Sequence, residues 1–196
     1  MWPTFRGWLF LLCALGLIAA SPAQARLVLG AGGGWFEPWD GSGDFSVMGQ
    51  VLASIGKQEK LRIGGEFEYH QFDTRLFGAR NIDMQTFALR GIMQFFPMPE
   101  WVVQPYAGIG IGTEVQYVDS DEVKEQQGDD IVPVVGSGFS LLGILGAEIP
   151  IGDHFSFFAE GRLGYSMLLI IRKDNDSVDH EGTGGAHGLG GFRIRF

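Results

Sequence analysis

Apolar and polar residues alternate along most of the chain with a period of two. In "LRIGGEFEYHQF" (61–72) the odd positions carry Leu61, Ile63, Phe67 and Tyr69, and the even ones Arg62, Glu66, Glu68 and His70. In "FSFFAEGRLGYSML" (155–168) Phe155, Phe157, Leu163, Tyr165 and Met167 oppose Ser156, Glu160, Arg162 and Ser166. The same phase sets Phe87, Leu89, Met93 and Phe95 against Arg90 and Gln94, and Ile109, Ile111 and Val115 against Glu114 and Gln116. A period of two with charge on one face is the mark of a half-buried β-strand. The pattern predicts eight strands, at 26–37, 44–56, 60–73, 82–96, 102–117, 137–150, 154–171 and 185–196. No stretch after residue 25 reads as a helix.

The connections fall into two kinds. "GKQEK", "PMPE" and "GDH" read as tight turns, while "PWDGSG", "TRLFGARN", "DSDEVKEQQGDDIVPVVG" and "RKDNDSVDHEGTG" read as longer polar loops. Short turns on one side and long loops on the other predict an all-β, eight-stranded antiparallel up-and-down transmembrane β-barrel. An even strand number puts both ends on the short-turn side. In the last strand Phe192, Ile194 and Phe196 share one face and His187, Arg193 and Arg195 the other. That strand is expected to close the barrel against the first, which removes the exposed edges.

A water-soluble, lipocalin-like barrel would alternate too, with its apolar face turned inward. The charges argue for the inverted arrangement. Arg62, Arg90, Arg162, Arg193 and Arg195 stand against Glu66, Glu68, Glu114, Glu148 and Glu160. Five against five suits a paired interior, because charges removed from bulk water need partners. Phe36, Phe72, Phe96 and Phe158 are expected to point inward with them. Trp35, Trp101, Tyr117 and Tyr165 lie near strand ends on the odd face, as an aromatic girdle would.

Composition adds an address. Residues 1–25 hold one early cation, Arg6, an apolar run from Trp8 to Ala20 and a small-x-small close at Ala23-Gln24-Ala25. This reads as a signal peptide cleaved after Ala25, leaving a single domain at 26–196. The run is too short for a comfortable membrane helix, which takes ~20 residues. The one cysteine, Cys13, lies inside it, so disulfides are not expected to stabilise the exported chain. Loss of Arg6 takes the net charge from −9 to −10, and this acidity argues against nucleic-acid binding.

Three stretches carry a resemblance: "QPYAGIGIGTEVQY" (104–117), "IPIGDHFSFFAEGRLGY" (149–165) and the terminal "GGFRIRF". With them the chain resembles the outer membrane protein A-like small β-barrel superfamily of Gram-negative bacteria, near the opacity-type "outer membrane beta-barrel domain" proteins. The resemblance implies residence in the outer membrane as a monomer, among its lipid and lipopolysaccharide. It also implies that Phe192, Ile194 and Phe196 present an assembly signal to the barrel-assembly machinery.

Candidate chemistry is sparse. His154, Ser156 and Glu160 share a strand face in "HFSFFAE", and a lipid A deacylase of similar shape uses a His, Ser and Glu set beginning H-x-S. Here His154 falls in a turn at the expected periplasmic end, away from the lipid A leaflet, so the plain reading is a turn histidine and two lumen polar residues. "GAGGG" and "GIGIG" open no helix and so are not phosphate loops. The loop 118–136 carries Asp119, Asp121, Glu122, Glu125, Asp129 and Asp130 against Lys124 alone. It suits plain solvation or, as the alternative, divalent cations bridging it to lipopolysaccharide, without the spacing of an EF-hand. His70, His180 and His187 offer a metal site if they meet near the outer rim, which the sequence does not establish; the plainer reading is scattered histidines. No cofactor is expected. The expected function is that of a non-enzymatic integral outer-membrane barrel with a structural or surface-interaction role. The alternatives are a small or gated channel and a lipid A deacylase-type enzyme.

Overall fold

A computed structural model describes residues 26–56, 58–76, 79–118, 135–171 and 178–196. The expected signal peptide and nearly all of the acidic loop, residues 119–134, lie outside them. The described chain forms eight strands: β1 (Arg26–Pro38), β2 (Gly41–Ile55), β3 (Leu61–Leu76), β4 (Ala79–Phe95), β5 (Gln104–Val118), β6 (Val135–Ile151), β7 (Phe155–Ile171) and β8 (Val178–Arg195). Each pairs antiparallel with its sequence neighbours, and β8 returns to β1 from Val28 opposite Arg195 to Pro38 opposite Gly185. The barrel is closed, so no strand edge is left unpaired.

The strand count and closure agree with the sequence pattern, but the connections differ from it. "PWDGSG" is not an open loop: β1 and β2 are joined across Trp39 and Asp40. "TRLFGARN" is mostly strand, with β3 running to Leu76 and β4 starting at Ala79. β8 begins at Val178, seven residues before the alternation predicts, and pairs with β7 from Ile171 onward. The 41–44 and 178–185 ends are rich in Gly, Ser, Asp and Thr, so they show no apolar period. Ladder hydrogen bonds need only backbone, so they pair all the same. At the other end of the barrel "PMPE" is not tight. Residues 96–103 connect β4 to β5, and Trp101 and Val102 sit in that connection with 53% and 81% of their surface exposed. Pro97 and Pro99 have no N–H to donate, which ends the ladder early.

Side chains sort by face. On β1 to β7 the even positions point into the lumen and the odd ones out. On β8 the parity reverses, placing His187, Leu189 and Arg193 inside and Phe192 outside. The outer face is apolar around the circumference: Val51, Phe67, Leu89, Ile109, Leu141, Leu145, Phe157, Leu163 and Phe192 are all exposed. A water-soluble monomer rarely exposes more than a few hundred Å² of contiguous apolar surface. This belt fits the hydrocarbon of a bilayer, and the inward charges rule out the lipocalin arrangement.

An aromatic row edges the belt at the end away from Arg26 and Phe196. Phe45, Tyr69, Phe87 and Tyr117 touch in turn across β2 to β5, with ring centroids 5.7, 4.9 and 5.9 Å apart. Trp39 meets Tyr165 at 6.1 Å on the opposite wall. Strands of 13–18 residues exceed the ~9–11 that cross a bilayer. The excess projects past this row, where exposed Glu37, Asp73 and Gln85 take over the outer face.

Candidate functional site

The lumen is filled by side chains, as eight strands leave room for little else. It has an apolar layer and a charged one. Val28, Leu52, Ile92, Phe96, Tyr106, Leu142 and Ile144 form one buried cluster, and Met48, Phe158 and Leu189 a second. Two glycines make the fit possible. A Cβ on Gly146 would lie 2.5 Å from the Tyr106 ring, and one on Gly185 2.4 Å from the Phe36 ring. Phe36, Phe72, Phe96 and Phe158 are all buried inside.

Through these layers runs a chain of ion pairs from wall to wall. Near the termini Glu148 accepts from Arg62 Nη1 at 2.6 Å and Nη2 at 3.2 Å, Arg193 Nη1 at 2.6 Å, Arg195 Nη2 at 2.5 Å and the Ser156 hydroxyl at 2.8 Å. Midway, Glu160 accepts from Arg162 Nε, Arg193 Nη2 and the Tyr106 hydroxyl, each at 2.6 Å. Arg162 also holds Glu66 with two hydrogen bonds of 2.9 and 2.7 Å, and Gln50 donates to Glu66 at 2.7 Å. Toward the loop end Arg90 bonds Glu68, Glu114 at 3.2 Å and the Ser140 hydroxyl at 2.9 Å. Ser46 donates to Glu68 at 2.9 Å, and Ser166 and Gln116 to Glu114 at 2.7 and 2.8 Å. Two guanidiniums also lie over aromatic rings, Arg62 over Phe96 at 4.2 Å and Arg193 over Phe158 at 4.3 Å.

All ten residues of the predicted charge set therefore stand in one connected lumen network. Nine are buried, and Arg195 is half-buried at its rim. Charges taken out of water are tolerated when hydrogen-bonded partners fill most of their capacity, and the carboxylates here take up to five donors each. Alternation locates the inward face, but the cross-barrel partners come from strand tilt and register. Tyr106, Gln50, Ser46, Ser140 and Ser166 join the network without being singled out by sequence pattern, because polar residues on a lumen face all look alike.

The His154, Ser156 and Glu160 set does not assemble. His154 is exposed in the 152–154 turn, with Nδ1 3.1 Å from the Arg195 carbonyl oxygen. Ser156 gives its hydroxyl hydrogen to Glu148, and Glu160 is held by Arg162, Arg193 and Tyr106. A nucleophile needs a base within reach, and here the serine faces a carboxylate already occupied by arginines. Phe192 and Phe196 are exposed on the outer face, and Phe196 N–H closes onto the Leu27 carbonyl at 2.9 Å. Of the three scattered histidines, His70 and His187 meet inside the lumen, and the side chain of His180 lies outside the described residues.

Two cavities flank the network. One of about 520 Å³ opens at the barrel end that holds Arg26 and Phe196, lined by Lys60, Arg62, Glu100, Gln104 and Arg195 among others. The other, about 120 Å³, lies at the loop end beside His70, His187, Glu114 and Ser166. The network stands between them.

No protein-family model and no curated protein matches the sequence. Solved structures do match the fold. Neisserial surface protein A (NspA) superposes with a TM-score of 0.59 at 15% identity, over 88% of this chain and 99% of that one. The outer membrane protein OprG of Pseudomonas aeruginosa gives 0.62 at 14% identity, over 90% and 98%. A major outer membrane protein of Thermus thermophilus gives 0.56 at 12% identity, over 88% and 99%. Closed eight-stranded topology, an apolar outer belt and a charge-filled lumen converge with these likenesses: the chain has the fold of the small eight-stranded outer-membrane β-barrels.

Proposed function

We propose that the protein is a closed, non-enzymatic outer-membrane barrel that serves as a structural element and holds its loops at the cell surface. The observation that carries this reading is the ion-pair network spanning the lumen, with Arg62, Arg162 and Arg193 among the largest fully buried side chains. A lumen packed in this way has no continuous path for solute. What remains for the molecule to act with is its outer surface: the belt against lipid and lipopolysaccharide, and the loops beyond it. The barrel end that holds Arg26 and Phe196 faces the periplasm in this reading, and the opposite end, where β5 stops at Val118 and β6 starts at Val135, faces outward.

Planar-bilayer recording of the refolded protein tests this. No porin-sized conductance is expected, and stable, large open steps would overturn it. A second reading, a small or gated channel, is favoured by the cavities that open at the two ends of the packed lumen. Under it, Glu160→Ala or Arg162→Ala would open conductance that the parent lacks. A lipid A deacylase reading gains nothing from the geometry of His154, Ser156 and Glu160.

A further inference from the structure

Among the described residues, the loop-end charges in the lumen are one cation short. Arg62, Arg193 and Arg195 share Glu148 and Glu160, with Glu160 at the border also reached by Arg162. Above that border Arg90 and Arg162 face three carboxylates, Glu66, Glu68 and Glu114. The surplus negative charge falls where two histidines converge. Glu68 and His70 are two apart on β3 and so share its inner face, and His187 arrives from β8.

Both imidazoles are buried and both carry an Nδ1 without a hydrogen-bond partner. His187 Nδ1 lies 2.8 Å from Glu68 Oε1 without the geometry of a hydrogen bond. Oε1 also accepts the Ser46 hydroxyl hydrogen at 2.9 Å and keeps a lone pair free for an ion, while Oε2 is taken by Arg90, with Arg162 at 3.5 Å. The ligand atoms of Glu68, His70 and His187 lie within 4.8 Å of one another. The Phe36 ring packs against both imidazoles, with centroids 4.3 and 4.5 Å away, and the imidazoles meet each other edge-on at 5.3 Å. The loop-end cavity reaches the cluster and has room for a water as well, beside Glu114, Ser166 and Thr183.

We propose that Glu68, His70 and His187 bind one divalent cation of the zinc class inside the lumen. Two imidazole nitrogens and one carboxylate oxygen suit zinc, copper or nickel, whereas calcium and magnesium require an oxygen-dominated shell. An ion drawing its ligands to about 2.0–2.2 Å closes the triangle, gives each imidazole a partner and offsets the surplus negative charge. The water takes the fourth position.

The full chain, without an affinity tag and refolded in detergent, is titrated with Zn²⁺ against a chromophoric chelator and with Co²⁺ followed by its visible absorption. One ion per folded barrel is expected, with a four-coordinate cobalt spectrum. Binding should weaken by about tenfold or more in His70→Ala and in His187→Ala, and stay unchanged in His154→Ala. Heat-modifiable gel migration reports whether each variant has folded. X-ray absorption of the zinc-loaded parent gives a readout independent of any variant, with scattering from two imidazoles expected. An oxygen-only shell, a folded parent that retains no ion, or an ion that survives the double His70→Ala/His187→Ala change overturns the site. In the last case the cation sits elsewhere on the chain.

Discussion

Removing Glu148 is the sharpest perturbation of the lumen. Glu148→Ala deletes the acceptor of five hydrogen bonds from three arginines and one serine. The three cations do not suffer equally. Arg193 retains Glu160, whereas Arg62 and Arg195 have no other ion pair among the described residues. Stripping one partner from a buried pair costs about 3–5 kcal/mol, chiefly because it strands the surviving charge. Two stranded guanidiniums would push the figure up. The 520 Å³ cavity at that end admits water to Arg62 and Arg195 and pulls it back. The expected loss is therefore about 3–5 kcal/mol in all. Urea unfolding of the barrel refolded in lipid vesicles, followed by gel migration and tryptophan fluorescence, measures it. A double-mutant cycle with Arg62→Ala should show the second change costing less in the Glu148→Ala background, by about 0.5–3 kcal/mol. A loss below about 1 kcal/mol, typical of exposed pairs, would refute the claim that the network is buried.

Other positions test other parts of the account. Leu163→Arg places a charge on the lipid face and should destabilise the vesicle-embedded barrel by about 2–4 kcal/mol, in the same urea assay. Gly146→Val forces a side chain into the Tyr106 ring and should cost about 1–3 kcal/mol through overpacking, read as a lower urea midpoint. Ser156→Ala should leave the acyl pattern of lipid A unchanged by mass spectrometry in cells making the parent or the variant.

Different parts of the molecule were legible in the sequence to different depths. The strands were plain because one face meets lipid and the other meets charge, so period two is enforced wherever the barrel crosses the belt. Beyond the belt both faces are polar, so Val178–Gly184 and the Gly41–Gly43 end carry no such signal although they pair. The inverted parity of β8 was legible from Phe192, Ile194 and Phe196 against Arg193 and Arg195. Membership of the charged lumen set was legible too, since Arg and Glu on an inward face have nowhere else to go. Partner choice was not. Arg162 meets Glu66 across 96 positions of sequence, a contact fixed by barrel tilt. A meeting of His70 and His187 was left open by the sequence, but Glu68 as the third member was hidden for the same reason: β3 and β8 are separated by two strands, and nothing local marks which side chains of the two meet.

The account rests on an odd face in lipid and an even face sealed inside, and a nitroxide scan of β7 tests both at once. The only cysteine in the sequence is Cys13, so single cysteines can be placed at 157–167 in the segment 26–196 and spin-labelled in vesicles. Collision rates are then measured with oxygen, which concentrates in the bilayer, and with a water-soluble nickel chelate. Labels at odd positions should collide strongly with oxygen and weakly with nickel, and labels at even positions weakly with both. Nickel collisions at the odd positions would remove the protein from the membrane, and nickel collisions at the even positions would open the lumen to water and contradict the sealed barrel.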